Sequence, residues 1–414
     1  MIADAILFRV LVFFTPLQLS KHFWPESAFV YGIRVDYLAP KLFITDFIIF
    51  LLLISWFARK PIFSKATQKA IYYSFIFVAT LVFVNAVFLS TSPSFIFPTL
   101  KFIEYLLLIL YVSQNHVLVQ KSLPLPLLFS LIYLLAIALL QFISDSSIGG
   151  LFYFIGERNI SATLPGIALV NLFGHSKLRP YATFPHPNAL GGYALVSFLL
   201  ICNYSKNSLV KASAFFASTV LILLSFSQNA WLAALTIALI FIMNKTYATH
   251  TFSYLFIMAS AVFSLISPLV YKYLLNISSY PQNITRRLYL SVISGKMISE
   301  SPFFGIGLGA FIRELPLLQS KLELSNYPEI IWWLQPVHNI FLLIASELGL
   351  LSLIVFVALL WKLALLNFQH KKHFTYPLLA IIFTGTFDHY WLTLQQTRIM
   401  FAIVLGLMLP KLLK

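Results

Sequence analysis

Long apolar runs separated by short polar connections dominate the chain. Twelve of these runs approach or reach the roughly 20 apolar residues that a helix needs to cross a bilayer. We predict spans at 4–20, 41–58, 70–90, 94–114, 124–144, 189–205, 209–226, 230–244, 252–275, 338–360, 374–391 and 397–413. Because lipid does not tolerate open sheet edges, the pattern predicts an all-α polytopic membrane protein forming one integral-membrane domain over 1–414.

The composition supports this prediction. The chain is 60% hydrophobic and only 10% charged, whereas soluble domains have about 25% charged residues. The single cysteine, Cys202, lies in an apolar run, which excludes a disulfide framework and a Cys-rich metal site. The first apolar run has no small-residue cleavage site after it, so we interpret it as a retained helix rather than a signal peptide.

Basic residues in the short connections predict the orientation of the spans. Alternate connections and the C-terminal tail contain Arg59, Lys60, Lys65, Lys69, Lys121, Lys206, Lys211, Lys245, Lys371, Lys372, Lys411 and Lys414, and no acidic residue. The short connections of opposite parity, 91–93 and 225–229, contain no Lys or Arg. We therefore predict that both termini are cytoplasmic. The net charge of +15 is then an orientation signal, which argues against nucleic acid as a partner.

This topology leaves two long loops outside the cell membrane, at 146–188 and 276–336. Loops of this length are usually functional. The second loop contains a predicted amphipathic helix at 284–299, which Ser301 and Pro302 should stop. Its apolar face contains Ile284, Leu288 and Val292.

Three glycines, Gly305, Gly307 and Gly309, follow this helix and predict a flexible turn. A Gly-x-Gly-x-Gly run without a preceding strand is poor evidence for a nucleotide-binding loop. We therefore expect no nucleotide site there.

Arg286 and Arg287 are predicted to begin the amphipathic helix. A guanidinium group matches the geometry of phosphate, and a helix start presents free N–H groups to an anion. The pair suits a diphosphate, but it equally suits an anchor to lipid headgroups. The residues alone leave both interpretations open.

Three prolines lie between Arg179 and Asn188, which predicts a stiff, extended segment. Such a segment can hold Arg179 and His186 at a fixed separation. It is equally typical of a re-entrant or capping loop. In either case we expect Asn188 to be the N-cap of the next span.

His338 and Asn339 open the tenth span at its outer end. A histidine there suits a general base near neutral pH, or a hydrogen-bonded interfacial residue. Ala345 and Gly349 share a helical face with His338 and would allow another helix to approach closely. Glu347 lies deeper and on another side, so we predict a structural role for it.

Charged residues inside spans usually have a partner or a function. Lys101 and Glu104 are three residues apart on one predicted helix and should pair. We also expect Asp46 to pair with Arg9. Mutual neutralisation explains the presence of these four charges inside spans more simply than a functional role does.

Asp388 and His389 lie at the outer end of the eleventh span, where they are placed to line the same cavity as His338. The chain has no His-x-x-x-His pair, and its histidines are scattered along the sequence, so we expect no metal and no cofactor. A Ser/His/Asp hydrolase is disfavoured because no Gly-x-Ser-x-Gly occurs.

Together these motifs resemble the O-antigen ligase and polymerase superfamily of bacterial membrane glycosyltransferases. The resemblance covers most of the chain and rests on Arg179 to Asn188, Ser227 to Trp231, the spacing of Arg286 and Leu290, Pro302 to Gly309, and His338 with Gly349. Where the family usually has an arginine near Ser227, this chain has Asn229, so we do not expect that span to contribute a charge.

The resemblance implies a GT-C-like bundle in the cell inner membrane that transfers a glycan from polyprenyl (undecaprenyl) diphosphate to an acceptor hydroxyl outside, without metal or cofactor. It implies that Arg179 and Arg286, with Arg287, hold the diphosphate and that His338 orients or deprotonates the acceptor. Further candidates for substrate binding are His186, Asn188, Asn339, Asp388 and His389. Ligase and polymerase activities for lipopolysaccharide or another polysaccharide both fit, as do lipid A core, a carrier-linked glycan or a protein as acceptor.

Two other classes of function remain open. A transporter or flippase for polyprenyl-linked glycans or another anion should place polar residues at mid-membrane on broken helices, often in repeated halves. Here the distinctive polar residues cluster at one boundary, and we see no internal repeat. A non-catalytic assembly partner would tolerate loss of Arg286 and His338.

Overall fold

The computed structural model describes residues 2–87, 95–243, 249–277, 280–319, 333–370 and 375–411. Within these ranges the chain forms the α-helices α1 (Ile2–Phe14), α2 (Ile44–Ala58), α3 (Lys65–Val87), α4 (Ile96–Gln114), α5 (His116–Ser122), α6 (Pro124–Ser144), α7 (Pro187–Tyr204), α8 (Ser208–Leu224), α9 (Gln228–Met243), α10 (Thr249–Ile277), α11 (Gln282–Glu300), α12 (Phe311–Gln319), α13 (Ile340–His370), α14 (Tyr376–Thr386), α15 (Tyr390–Thr393) and α16 (Gln395–Met408). The strands are β1 (Ser20–His22), β2 (Phe29–Val30), β3 (Ile33–Arg34), β4 (Lys41–Phe43), β5 (Leu169–Leu172) and β6 (His175–Leu178).

Each predicted span overlaps a helix, although α1, α14 and α16 are shorter than the spans predicted for them. Among the described residues, five stretches are long and apolar enough to cross a membrane: Lys65–Ala86, Ile96–Gln114, Pro124–Ser144, Leu255–Leu275 and Ile340–Asn367. Four shorter apolar helices are Ile44–Ala58, Ser208–Leu224, Gln228–Ile242 and Tyr376–Thr386. The prediction of a mostly helical membrane protein is therefore confirmed, while the number of twelve spans and the side of each loop stay predictions.

The all-α prediction missed three small two-stranded antiparallel sheets in the described part of the chain. β1 pairs with β4 and β2 with β3 between α1 and α2, and β5 pairs with β6 inside the first predicted long loop. These strands have two to four residues each, which is too short for an alternating pattern to reveal them.

The predicted amphipathic helix is α11, which begins at Gln282 and ends at Glu300. Leu288 and Val292 are buried as predicted, whereas Ile284 is exposed. The helix packs against α10 and α13.

The glycine turn after α11 is held in place rather than flexible. The Ile306 N–H donates to the Ser346 carbonyl at 2.8 Å, and the Gly307 N–H donates to the Glu347 carbonyl at 3.0 Å. The Glu347 carboxylate accepts from the Phe311 N–H at 3.3 Å. These contacts support the structural role predicted for Glu347, because its carbonyl binds the glycine turn and its carboxylate binds the first N–H group of α12.

Gly349 interrupts α13 with φ 81° and ψ 170°. At this point the Leu350 N–H donates to the Pro302 carbonyl at 2.7 Å. A Cβ on Gly349 would lie 2.1 Å from the carbonyl oxygen of Phe303. Because Gly349 has no side chain, the backbone of the glycine turn can pack against it. We had predicted that another helix would pack there.

The partly buried acidic residue Asp46 pairs with Lys101 rather than with Arg9. Lys101 Nζ also contacts Glu104 at 2.9 Å, which confirms that predicted pair. The Asp46–Arg9 prediction was wrong because Arg9 is exposed on α1, whereas α2 and α4 pack together and bring Asp46 to Lys101.

Candidate functional site

A single cavity of about 1830 Å³ contains most of the predicted site residues. Those lining it are His186, Arg286, Arg287, His338, Asp388 and His389. We call this group the polar chamber. Its members come from the loop before α7, from α11, from the residue pair before α13, and from the connection between α14 and α15.

Asp388 lies at the centre of the polar chamber and is only 5% exposed. Its Oδ2 accepts from Asn188 Nδ2 at 2.9 Å and lies 3.8 Å from Arg287 Nη2. Burial raises the pKa of Asp388, but the interactions of its carboxyl group with His338, His389 and Arg287 outweigh this effect, and the pKa lies below its usual value. The carboxyl group is therefore ionised at neutral pH.

His186, His338 and His389 meet around this carboxylate, although they are scattered along the sequence. The rings of His338 and His389 have centroids 5.1 Å apart and are steeply inclined. Burial lowers the pKa of His338 well below its usual value, and lowers the pKa of His186 to about 3 and of His389 to about 4. All three imidazoles are therefore neutral at neutral pH.

His338 lines the cavity and has one ring nitrogen without a partner among the described residues. His338 Nδ1 is buried and has no hydrogen-bond partner in the part of the chain that the structure describes. A neutral imidazole with an unused ring nitrogen, facing a cavity, can accept a proton.

Because the histidines are scattered along the sequence, we expected no metal site. The fold nevertheless brings three possible metal ligands close together. The ligand atoms of His338, Asp388 and His389 all lie within 4.8 Å of one another, so this group can hold a metal ion. However, His389 Nδ1 lies 2.7 Å from Thr393 Oγ1, and the positive charge of Arg287 beside Asp388 competes with a cation. Independence from metal stays a prediction.

Arg286 and Arg287 lie about one turn inside α11, which begins at Gln282. We had predicted that the two arginines begin the helix. Because α11 begins at Gln282 instead, its free N–H groups precede the arginines and do not lie beside them. Arg287 Nη1 donates to the Phe387 carbonyl at 3.1 Å. Arg286 Nε is buried and lacks a hydrogen-bond partner among the described residues. A buried guanidinium N–H without a partner is well placed to bind an anion.

Arg179 is not among the residues lining the cavity. Its Nε donates to the Ser225 carbonyl at 3.0 Å, and its Nη2 donates to Asn188 Oδ1 at 2.7 Å. Because Asn188 in turn donates to Asp388, Arg179 reaches the polar chamber through Asn188. This geometry favours a positioning role for Arg179, whereas the resemblance implies direct contact with a diphosphate.

Asn188 is not the N-cap of α7, as we had predicted. The cap is His186, whose Nδ1 accepts from the Asn188 N–H at 3.1 Å. Pro187 occupies the first helical position, a position that proline favours. The cap therefore lies two residues earlier, which leaves the Asn188 amide free to join Arg179 to Asp388.

The proline-rich segment before α7 contains a turn instead of being fully extended. The Phe184 N–H donates to the Tyr181 carbonyl at 2.9 Å, and Ala182 has φ 48°. Gln141 Oε1, from α6, accepts from the N–H groups of Tyr181 at 3.0 Å and Ala182 at 2.8 Å. A side chain distant in sequence thus stabilises a turn that the prolines do not predict.

Asn339 caps α13, and both polar atoms of its side chain form hydrogen bonds within the protein. Its Oδ1 accepts from the N–H groups of Phe341 at 2.9 Å and Leu342 at 3.0 Å. Its Nδ2 donates to Ser264 Oγ and to the Thr386 carbonyl, both at 2.8 Å. The predicted substrate-binding role is thus disfavoured, and Asn339 instead fixes the start of α13 against α10 and α14.

Tyr37 and Arg398 are among the cavity side chains that sequence reasoning missed. Tyr37, from the connection between β3 and β4, lines it and packs its ring nearly perpendicular to His389 with centroids 5.5 Å apart. Arg398 on α16 also lines the cavity. A signal for Arg398 existed, because an arginine inside a predicted span suggests function. Tyr37 had none, since no motif marked the connection 21–40 that contains it.

Residues 213–357 match the family model described as O-Antigen ligase. The matched region includes Arg286, His338, Gly349 and the glycine turn, while Arg179 lies outside it. No curated protein matches the chain. The family match confirms the resemblance to the O-antigen ligase and polymerase superfamily. Together with the apolar helices, it indicates an integral membrane protein with a membrane glycan function of the ligase or polymerase type.

Proposed function

We propose that this protein is a glycosyltransferase of the inner membrane that moves a glycan from a polyprenyl diphosphate carrier to an acceptor hydroxyl on the extracytoplasmic side. The observation that carries this proposal is that Arg286, Arg287, His338 and Asp388 line one cavity. The cavity thus combines cations that suit a diphosphate with a neutral base that suits a hydroxyl group. The O-antigen ligase match supports the same reaction class.

Arg286 and Arg287 hold the diphosphate of the donor. As the bond between the anomeric carbon and the diphosphate oxygen breaks, the electron pair moves to the leaving diphosphate. Fixed guanidinium groups stabilise this developing charge without having to reorganise. The unpartnered Nε of Arg286 is consistent with this role, because a phosphate oxygen would satisfy it.

His338 takes the proton of the acceptor hydroxyl as its oxygen attacks the anomeric carbon. The imidazole is neutral before reaction and becomes an imidazolium ion. The Asp388 carboxylate, with its ligand atom within 4.8 Å of that of His338, stabilises this positive charge. With a good leaving group on the donor, positioning and one weak base are sufficient.

The remaining polar residues position these groups. Arg179 holds Asn188, and Asn188 holds Asp388. His389 packs against the His338 ring, and His186 fixes the start of α7.

The test is product formation by the purified protein in vesicles with an undecaprenyl diphosphate glycan and a hydroxyl acceptor. Arg286→Gln should lower the rate by roughly a hundredfold, which is typical for loss of one donor to a developing anion. Arg9→Gln is the matched control, since it removes an exposed arginine on α1, and it should keep full activity.

Two outcomes would overturn the proposal. Movement of labelled donor across the vesicle membrane without product would favour a transporter or flippase. Full cellular function in both Arg286→Gln and His338→Gln variants, without product from the purified protein, would favour a non-catalytic assembly partner.

A further inference from the structure

We infer that a short 3-10 helix at Gly150–Ile155 is a lipid anchor, which inserts its side chains into the surface of the bilayer leaflet where α6 ends. We call this helix the anchor segment. Its partner is the lipid itself, so the inference does not depend on the proposed function. It means that part of the first long loop, which we predicted to lie outside the membrane at 146–188, lies in lipid.

The anchor segment exposes large apolar side chains on one face. Leu151 is 82% exposed, Tyr153 66% and Phe154 65%. Phe152 and Ile155, in contrast, are partly buried and pack against the main hydrophobic core. The segment thus has one face turned to the protein and one apolar face that the described residues leave uncovered.

Hydrogen bonds fix the depth of the anchor segment. Glu157 follows it directly, and its Oε1 accepts from Gln141 Nε2 on α6 at 2.8 Å. The same carboxylate accepts from the N–H groups of Ile148 and Gly149, just before the segment, both at 2.8 Å. Gln141 is three residues before the end of α6 at Ser144, or about 4.5 Å along the helix. Because α6 is long and apolar enough to cross a membrane, the segment is held close to the level where a span leaves the hydrocarbon.

A second contact joins the end of the anchor segment to the chain after α1. Gly156 has φ 92°, and a Cβ there would lie 2.4 Å from the main-chain nitrogen of Gln18. Gln18 lies four residues beyond Phe14, where α1 ends. Since α1 and α6 pack against each other, the segment is seated at the ends of two neighbouring helices. It cannot rise into water without breaking these contacts.

The exposed surface of α6 indicates what covers the anchor segment. Exposed apolar side chains recur along this helix at Leu125, Phe129, Ile132, Leu140 and Ile143. Their spacing of three, four or eight residues places them on one face, and in a helix that spans a membrane such a face contacts lipid. The anchor segment therefore begins at the level where a lipid-facing surface ends.

The sequence of this stretch also suits lipid. Residues 146–156 contain no Asp, Glu, Lys or Arg, and the charged residue just before them, Asp145, pairs with Lys177 at 2.7 Å. The rings of Tyr153 and Phe154 pack edge to face with centroids 5.7 Å apart, and tyrosine is enriched where membrane meets water. A soluble protein partner would have to displace lipid at this level, so we favour lipid as the occupant.

Fluorescence of a label at position 154 tests the inference in the full-length protein. An environment-sensitive nitrobenzoxadiazole group is attached to Phe154→Cys in a Cys202→Ser background, and the protein is reconstituted into phosphatidylcholine vesicles. Phe173→Cys is the matched control, because Phe173 is an exposed phenylalanine of the same loop with polar neighbours at Asn171 and His175. The label at position 154 should emit at a shorter wavelength than the control label.

Lipids that carry a nitroxide group then measure the depth of the label. A nitroxide at the fifth acyl carbon should quench the Phe154→Cys label more strongly than one at the sixteenth, because interfacial segments enter the bilayer by only about 5–10 Å. Neither lipid should quench the control label. Combining Leu151→Ser with Tyr153→Ser should weaken the quenching at position 154, since these changes remove much of the apolar surface that holds the segment in lipid.

Two outcomes would overturn the inference. Equal emission and equal quenching of the labels at positions 154 and 173 would place the anchor segment in water. Emission at a short wavelength that neither nitroxide lipid quenches would mean that protein covers the apolar face, either a second copy of this chain or another partner. The proposed function would stand in both cases, because it does not use these residues.

Discussion

Gly349 and Phe303 touch through their backbones, and a Cβ on Gly349 would lie 2.1 Å from the Phe303 carbonyl oxygen. Through this contact the segment between α11 and the glycine turn packs against the break in α13. Since α11 carries Arg286 and α13 begins just after His338, the contact fixes the relative position of two helices that build the polar chamber.

Gly349→Ala should therefore reduce activity as well as stability. Both the left-handed φ and the backbone collision oppose a side chain there, and a displacement of about 1 Å at the site lowers rates on the order of a hundredfold. Thermal unfolding and product formation measure the two effects. Gly174→Ala is the matched control, because Gly174 has φ 85° but nothing within 4 Å of an added Cβ. Equal effects of the two substitutions would contradict the importance of the collision.

The pH dependence of kcat/KM should reflect a neutral His338. Because burial lowers its pKa well below 6.5, the neutral form persists as the pH falls, so activity should stay level from about pH 8 to about pH 6.5 and decline only at lower pH. His338→Gln should remove most of the activity. A half-loss of wild-type activity at or above pH 6.5 would show that His338 is not held neutral.

Asp388→Asn should lower kcat strongly and change the donor KM little. The amide cannot stabilise an imidazolium ion by charge, and we expect a loss of roughly a hundredfold. Asp36→Asn is a suitable control, because Asp36 also lines the cavity and pairs with Lys41 at 2.8 Å. If Asp388→Asn mainly raised the donor KM, Asp388 would act on donor binding rather than on proton transfer.

Treatment with a chelator should leave product formation unchanged. The reaction we propose needs guanidinium groups and a base, and Arg287 opposes a cation beside Asp388. Activity lost with chelator and restored by a divalent metal would show that His338, Asp388 and His389 bind that metal, and the proposed metal-free reaction would be wrong.

Cysteine labelling in intact cells should show the predicted orientation. In a Cys202→Ser background, Tyr31→Cys and Phe173→Cys should react with a membrane-impermeant reagent from outside, because both residues are exposed in predicted external connections. Ile62→Cys, exposed at 93%, should react only after the membrane is opened. The reverse pattern would place the polar chamber on the cytoplasmic side.

The helices could be predicted because the length of an apolar run is a local property. The end of α11 at Glu300, just before Ser301, and the pair Lys101–Glu104 could be predicted for the same reason, because each depends on residues close together in the sequence. The Asp46–Arg9 prediction failed because two spans were paired without knowledge of which helices are neighbours.

The residue types of the site could also be predicted, since basic and imidazole groups at one boundary stand out from apolar surroundings. Their individual roles could not, because a role depends on where a side chain points. Arg179 and Asn339 illustrate this limit. Their side chains donate hydrogen bonds to the main-chain carbonyls of Ser225 and Thr386, which are distant in sequence.

The contact between Tyr37 and His389 joins the connection after β3 to the connection between α14 and α15. More than three hundred residues separate the two rings along the chain. Until the ribosome has added Asp388 and His389, the chamber lacks one wall and its carboxylate. A nascent chain that stops before these residues therefore cannot begin the reaction, even when α11 and its arginines are already in place.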